Sequence, residues 1–411
     1  MGAGIFALPA TVSAITGSFS PWLFIIIGTL FMSVVLTFSS ISSYFEGTGG
    51  PVLYTRSAFG PHVGFGTGWV LYVSRATAFA ANVSVMSVYA GAFWPALADG
   101  AARIVFICAV VGLLTWTNYV GVRDGLRTLL VLSVLKLTPL LLLIVAGLAE
   151  ASVPFLPEQL PALSDFGDVS LLVIYAFVGF ESATIVSGEI DRPAKTMPVA
   201  LLATVAAVAV FYFFVVLVYV ANTNDYGDSL SDVGEQLLGS TGAILVSAAA
   251  LFSIGGNLAA ILLAASRLTF ALGEQDLFPR WFAEVHPRYS TPGNSILMLG
   301  GLSLILALSG TFAILAVASS LTRLLTYILC IGALPPIKRK AGTAQQAEAF
   351  RLPGGYTIPL LSLALCLWMI AQSPARAWLV TGVLLALGFG IYGFHQLRRK
   401  HATYDTPDSA P

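Results

Sequence analysis

Four ionisable side chains stand inside long apolar runs: Arg75, Lys136, Glu181 and Arg323. Placing Lys, Arg or Asp at the centre of a membrane helix costs roughly 2.5–3.5 kcal/mol on insertion scales, so such groups are retained where they pair, relay protons or meet a ligand. Glu181 is the single acid read inside a span. It is either a proton-responsive group or an anchor that pins nearby backbone by hydrogen bonds. Arg75 shares a helix face with Ala78, Phe79 and Asn82, because residues three and four apart line up. It is a receptor for an anionic group, a partner for Glu181, or a cation reaching to lipid headgroups. Lys136, in Leu135-Lys136-Leu137-Thr138-Pro139, is a coupling cation or a snorkelling one.

Two backbone interruptions accompany these charges. One run opens Gly2-Ala3-Gly4-Ile5-Phe6-Ala7-Leu8-Pro9, and another contains Tyr175-Ala176-Phe177-Val178-Gly179-Phe180-Glu181-Ser182. Glycine is a poor helix former, and glutamate breaks the second apolar run. In lipid, freed N–H and C=O groups need partners, so unwound stretches line a cavity or face protein. The positive N-terminal end of a half-helix suits a carboxylate, and freed carbonyls suit an ammonium or a cation. A zwitterionic amino acid satisfies both. Asn257, after a Gly-Gly pair, and Ser319, Ser320 and Thr322 either line the pathway or bond to neighbouring helices. Arg323 beside them is a candidate inner gate.

Other chemistries lack their residues. No H-E-x-x-H, no glycine-flanked serine with a histidine in reach and no G-x-x-x-x-G-K-[ST] loop is present, which argues against an enzyme, a cofactor and ATP-driven work. Cys108, Cys330 and Cys366 lie in apolar runs without C-x-x-C spacing, and read as packing residues. Net charge is zero, with 20 basic and 20 acidic residues, so nothing points to nucleic acid.

The elements that must position these groups follow from composition. Only 10% of the residues are charged and 57% are hydrophobic, against about 25% charged in soluble domains. A chain of 411 residues with so few charges calls for a lipid solvent. Apolar stretches near 1–18, 21–43, 63–95, 103–121, 126–149, 170–188, 197–221, 241–272, 294–309, 311–335, 356–372 and 376–396 give twelve candidate spans. The first is too short to span alone, and reads as truncated at its N-terminus. With the N-terminus set on the cytoplasmic side, most basic residues, among them Arg56, Arg192, Lys195, Lys338 and Arg398, share that side. Arg103 and Arg376 fall opposite, a positive-inside asymmetry. The opposite side carries acids read as solvated loop faces: Glu150, Glu158, Asp165 and Asp168, then Asp225, Asp228, Asp232 and Glu235. Residues 401–411 read as a disordered cytoplasmic tail. The two interrupted spans lie five helices apart, the pattern of a transporter site between inverted repeats.

Several motifs then align with one family. The loop Gly49-Gly50-Pro51-Val52-Leu53-Tyr54-Thr55-Arg56-Ser57-Ala58-Phe59-Gly60, the turn Asn118-Tyr119-Val120-Gly121-Val122-Arg123, and the segment from Gly188 to Pro198 join GAGIFALP and FVGFES. Ala265-Ser266-Arg267, Gly273 to Pro279 and His286-Pro287 follow in order. Over roughly residues 1–335 the chain resembles the amino acid–polyamine–organocation permeases. The resemblance implies an all-α membrane protein of about twelve transmembrane helices in a leucine-transporter-type 5+5 inverted-repeat fold, with helices 1 and 6 broken. It implies a first repeat over 1–150, a second over 165–335, and two further helices over 356–397. It places Gly2, Ala3 and Gly4 at the substrate carboxylate, and Phe177, Val178 and Gly179 at its ammonium. Tyr175 becomes a gating aromatic, and span three, with Arg75 and Phe79, lines the pocket beside Asn257. Lys136 and Glu181 are the proton-coupling candidates. The expected function is proton-coupled uptake of neutral amino acids by a multi-pass cell-membrane permease, monomer or homodimer, with a cytoplasmic C-terminus. The alternative is an amino acid or polyamine exchanger without net proton coupling. The family's cytoplasmic half of helix one, ahead of Gly2, has no counterpart in this sequence.

Overall fold

The structure is a computed structural model that describes residues 2–45, 50–121, 126–150, 156, 157, 160–185, 193–343, 346 and 349–404. Met1, Gly49, Val122, Arg123, Glu158, most of the loop after Glu181 (186–192) and residues 405–411 lie outside the described residues. Among the described residues there is no strand, and helix dominates throughout.

The helices are α1 (Gly4–Thr16), α2 (Ser20–Ser42), α3 (Gly50–Phe59), α4 (Pro61–Gly91), α5 (Gly100–Val120), α6 (Leu126–Glu150), α7 (Leu163–Phe177), α8 (Glu181–Ile185), α9 (Pro193–Asn222), α10 (Leu230–Glu274), α11 (Gly293–Ser309), α12 (Phe312–Lys340), α13 (Thr357–Ala371) and α14 (Ala375–Tyr404). Each of the twelve apolar stretches is helical along most of its described length. Among the described residues, six helical stretches are long and apolar enough to cross a membrane by length and composition. Helix α4 is not among those six. It is buried on almost every side, and its faces carry Gly, Ala, Ser and Thr in place of lipid-facing leucines. Small residues let backbones approach closely where lipid gives no hydrophobic drive to associate.

Helix α4 therefore forms the centre, packed between α10 and α12. Around it, α1 packs on α7, α2 on α9 and α5 on α11. The periphery is apolar outward: Val105 and Leu113 on α5, Ile305 on α11 and Leu379 on α14 are all exposed. In water such a belt would drive aggregation, whereas against acyl chains it is the expected surface.

Four local readings need correction. The described part of the loop after α2 forms helix α3, with Pro51 in its first turn, where a missing N–H costs nothing. Asp165 and Asp168 lie on α7, and Asp232 and Glu235 on α10, not on loops. At α10 the cause is a capping box, in which the Asp232 carboxylate accepts from the Ser229 N–H at 2.6 Å. That helix then kinks at Gly239, so the expected start at 241 marks the restart after the kink. Finally, α14 runs to Tyr404, four residues into the stretch expected to be disordered.

Candidate functional site

The break between α7 and α8 organises the site. The α7 helix ends at Phe177, Val178 turns extended (φ −68°, ψ 151°), and Gly179 takes φ 117°. A Cβ is strained at that φ, which is why glycine stands there. Helix α8 restarts at Glu181, whose carboxylate turns back to accept from the Gly179 N–H at 3.0 Å. The acid thus pins the backbone it interrupts.

The same carboxylate reaches across the molecule. Its Oε1 is ion-paired with Arg323 Nη1 on α12, and its Oε2 accepts from the Tyr327 hydroxyl at 2.9 Å. Arg323 and Tyr327 are four residues apart, so they share one face of α12. Arg323 Nε donates to Ser74 Oγ on α4 at 2.9 Å. Ser74 Oγ donates in turn to the Ser319 carbonyl at 3.0 Å, and Ser319 Oγ to the Ser74 carbonyl at 2.9 Å. One network therefore ties α8, α12 and α4 together. Phe38, Phe31 and Phe180 pack on Tyr327, with centroids 5.1, 6.0 and 5.5 Å away, and keep water from the pair.

Above this network lies a cavity of about 630 Å³, within the 300–1,000 Å³ usual for small-molecule sites. The start of α1 opens on it through Gly2, Ala3 and Gly4, and the end of α7 through Tyr175, Ala176 and Phe177. The first N–H groups of α1 and the last carbonyls of α7 have no partners within their own helices. Opposite partial charges thus face one space. Asn257 of α10 closes the α1 side. A Cβ on Gly2 would lie 2.5 Å from Asn257 Nδ2, so a side chain there would have to displace the Asn257 amide. Tyr175 closes the upper side, its hydroxyl donating to Asn82 Oδ1 at 2.6 Å.

The structure thus brings Gly2, Ala3, Gly4, Arg75, Tyr175, Phe177, Val178, Gly179 and Asn257 to one cavity. Phe79 is fully buried in the core and is not among the lining residues. Lys136 is half-buried on α6, which packs on α9 and α10, and it too is absent from the cavity wall. Glu181 is not among the lining residues, whereas its ion-pair partner Arg323 is. Arg75 does not take the direct ion pair with Glu181 that was one of its readings. Arg323 holds that place, and Arg75 Nη2 donates to Ser182 Oγ at 3.0 Å. Nor does Arg75 reach out to headgroups, since it is only 6% exposed. Tyr327 was missed in the sequence, although its four-residue spacing from Arg323 was a usable signal.

The chain matches the amino acid permease family over residues 1–389. It belongs to that family. This permease is 27% identical to the methylthioribose transporter of Bacillus subtilis (strain 168), with 98% of this chain and 91% of that protein aligned. It is 25% identical to the serine/threonine exchanger SteT of the same organism, over 98% and 94%. The branched-chain amino acid permease BcaP of Lactococcus lactis subsp. cremoris is 24% identical, over 96% and 91%. The permease is therefore an integral membrane transporter and not an enzyme.

Proposed function

We propose that this permease is a secondary transporter of amino acids, neutral ones foremost, that holds the zwitterionic head group between the start of α1 and the end of α7. The observation that carries this reading is the opening of the start of α1 and the end of α7 on one cavity. The carboxylate meets the N-terminal end of α1, and the ammonium meets the terminal carbonyls of α7. Two named relatives carry serine/threonine and branched-chain amino acids, which supports a neutral substrate, while a third carries methylthioribose.

The 5+5 inverted repeat is the arrangement we infer for the twelve spans. It draws support from the pairing of α1 with α7, α2 with α9, α4 with α10 and α5 with α11, in which each partner occupies the corresponding place in its half. The chain resides in the cell membrane with a cytoplasmic C-terminus, in line with the distribution of Lys and Arg.

Transport is coupled to protons, with Lys136 and Glu181 as the coupling residues. The competing reading is obligatory exchange. It is favoured by the full engagement of Glu181 with Arg323, Tyr327 and Gly179, which leaves that carboxylate committed to structure. Uptake of labelled amino acids into proteoliposomes separates the two. Accumulation under an inward-acid gradient that a protonophore abolishes is the expected result. Uptake that requires internal amino acid and ignores the gradient would establish exchange instead.

A further inference from the structure

Two guanidinium groups, Arg75 and Arg323, line the cavity, and among the described residues one carboxylate, Glu181, pairs with Arg323 and not with Arg75. Glu181 spends Oε1 on Arg323 and Oε2 on Gly179 and Tyr327. Among the described residues Arg75 is left with one neutral acceptor, the Ser182 hydroxyl. Its Nε is buried and has no hydrogen-bond partner among the described residues. A buried donor without an acceptor is costly, more so on a charged group, and calls for an ordered water, an ion or a ligand beside the guanidinium. Arginine has five N–H donors and no acceptor, so the missing element is an oxygen acceptor.

The wall matters as much as the charge. The start of α1 meets α7 and Asn257 of α10, whereas Arg75 stands on α4 and bonds to Ser182 of α8. On the reading that the head group lies between α1 and α7, an acceptor at Arg75 belongs to the substrate's side chain. We infer that Arg75 is a specificity-determining residue that binds a side-chain oxygen, so the permease favours hydroxyl- and carbonyl-bearing amino acids over apolar isosteres. This inference rests on the proposed amino acid reading. A cationic side chain is excluded by the same guanidinium, because like charges repel strongly in a low-dielectric cavity.

The test is binding of two near-isosteric pairs to the purified chain: threonine against valine, and asparagine against leucine. Hydrogen bonds to charged groups imply that wild type binds the oxygen-bearing member about tenfold or more tightly in each pair. Arg75→Gln is expected to bring both ratios toward one, and Arg75→Lys, which keeps the charge, to retain part of each. If wild type binds valine and leucine as tightly as their partners, the inference fails while the amino acid reading stands. Ratios unchanged in a folded Arg75→Gln chain would overturn it equally. Should Arg75→Gln not fold, the wild-type ratios alone decide. Absence of binding for all four would overturn both readings.

Discussion

Glu181 at the head of α8 and Arg323 on α12 are 142 residues apart in the chain, yet form an ion pair in which both side chains are almost wholly buried. Arg323 of the pair lines the cavity, and the second carboxylate oxygen holds the unwound backbone at Gly179. The cavity-facing break and the packing of α12 are therefore one mechanical unit. Movement of α8 relative to α12 or α4 would have to part this network.

Removing one member of a buried pair strands the other charge, at a cost of about 3–5 kcal/mol. Arg323→Ala is accordingly expected to lower thermal stability in detergent strongly. Glu181→Gln keeps hydrogen bonding and removes the charge, and is expected to cost less than Glu181→Ala. A double-mutant cycle of Glu181 and Arg323 should show strong coupling. Additive losses would mean the two do not act as a pair.

Gly179→Ala forces a Cβ onto a left-handed backbone, at about 1–2 kcal/mol. No neighbour lies within 4 Å of the added carbon, so the penalty is conformational and not steric. The variant should assemble in the membrane and bind amino acid more weakly. Unchanged affinity would show that the turn geometry is not part of the site.

Gly4→Val acts by crowding. A Cβ at Gly4 already stands 3.4 Å from the Ala176 backbone, and two further methyls would wedge α1 from α7. Uptake is expected to be abolished while the protein still reaches the membrane. Wild-type uptake would count against the cavity between these helices as the substrate site.

Lys136→Ala separates coupling from binding. Because Lys136 lies outside the cavity wall, substrate affinity should change little. Accumulation against a gradient should fall, and with it the dependence on external acid. A variant that still concentrates substrate with unchanged proton dependence would remove Lys136 from the coupling path.

The break between α7 and α8 was legible because Gly179 and Glu181 interrupt an apolar run, whereas glycines alone also suit close helix packing. The charged network was half legible. Arg75, Glu181 and Arg323 stand out by type, but which arginine takes the carboxylate depends on long-range packing that no local pattern encodes. Tyr327 illustrates the limit, since an aromatic in a membrane helix reads as core until its hydroxyl is seen 2.9 Å from Glu181. Phe79 fails the other way: it shares a face with Arg75 by spacing, yet packs into the core. Helix α3 was read as a loop on its resemblance to the family's loop motif, yet Pro51 in a first turn is compatible with a helix.

The central claim is that both charges of an amino acid head group are held, one by the start of α1 and the other by the end of α7. The most direct test compares binding of threonine to the purified permease with binding of its decarboxylated amine and its deaminated hydroxy acid. Loss of one charge-assisted contact implies that each analogue binds at least about tenfold more weakly than threonine. Either analogue binding as tightly as threonine would contradict the account, and would show which helix end the substrate does not use.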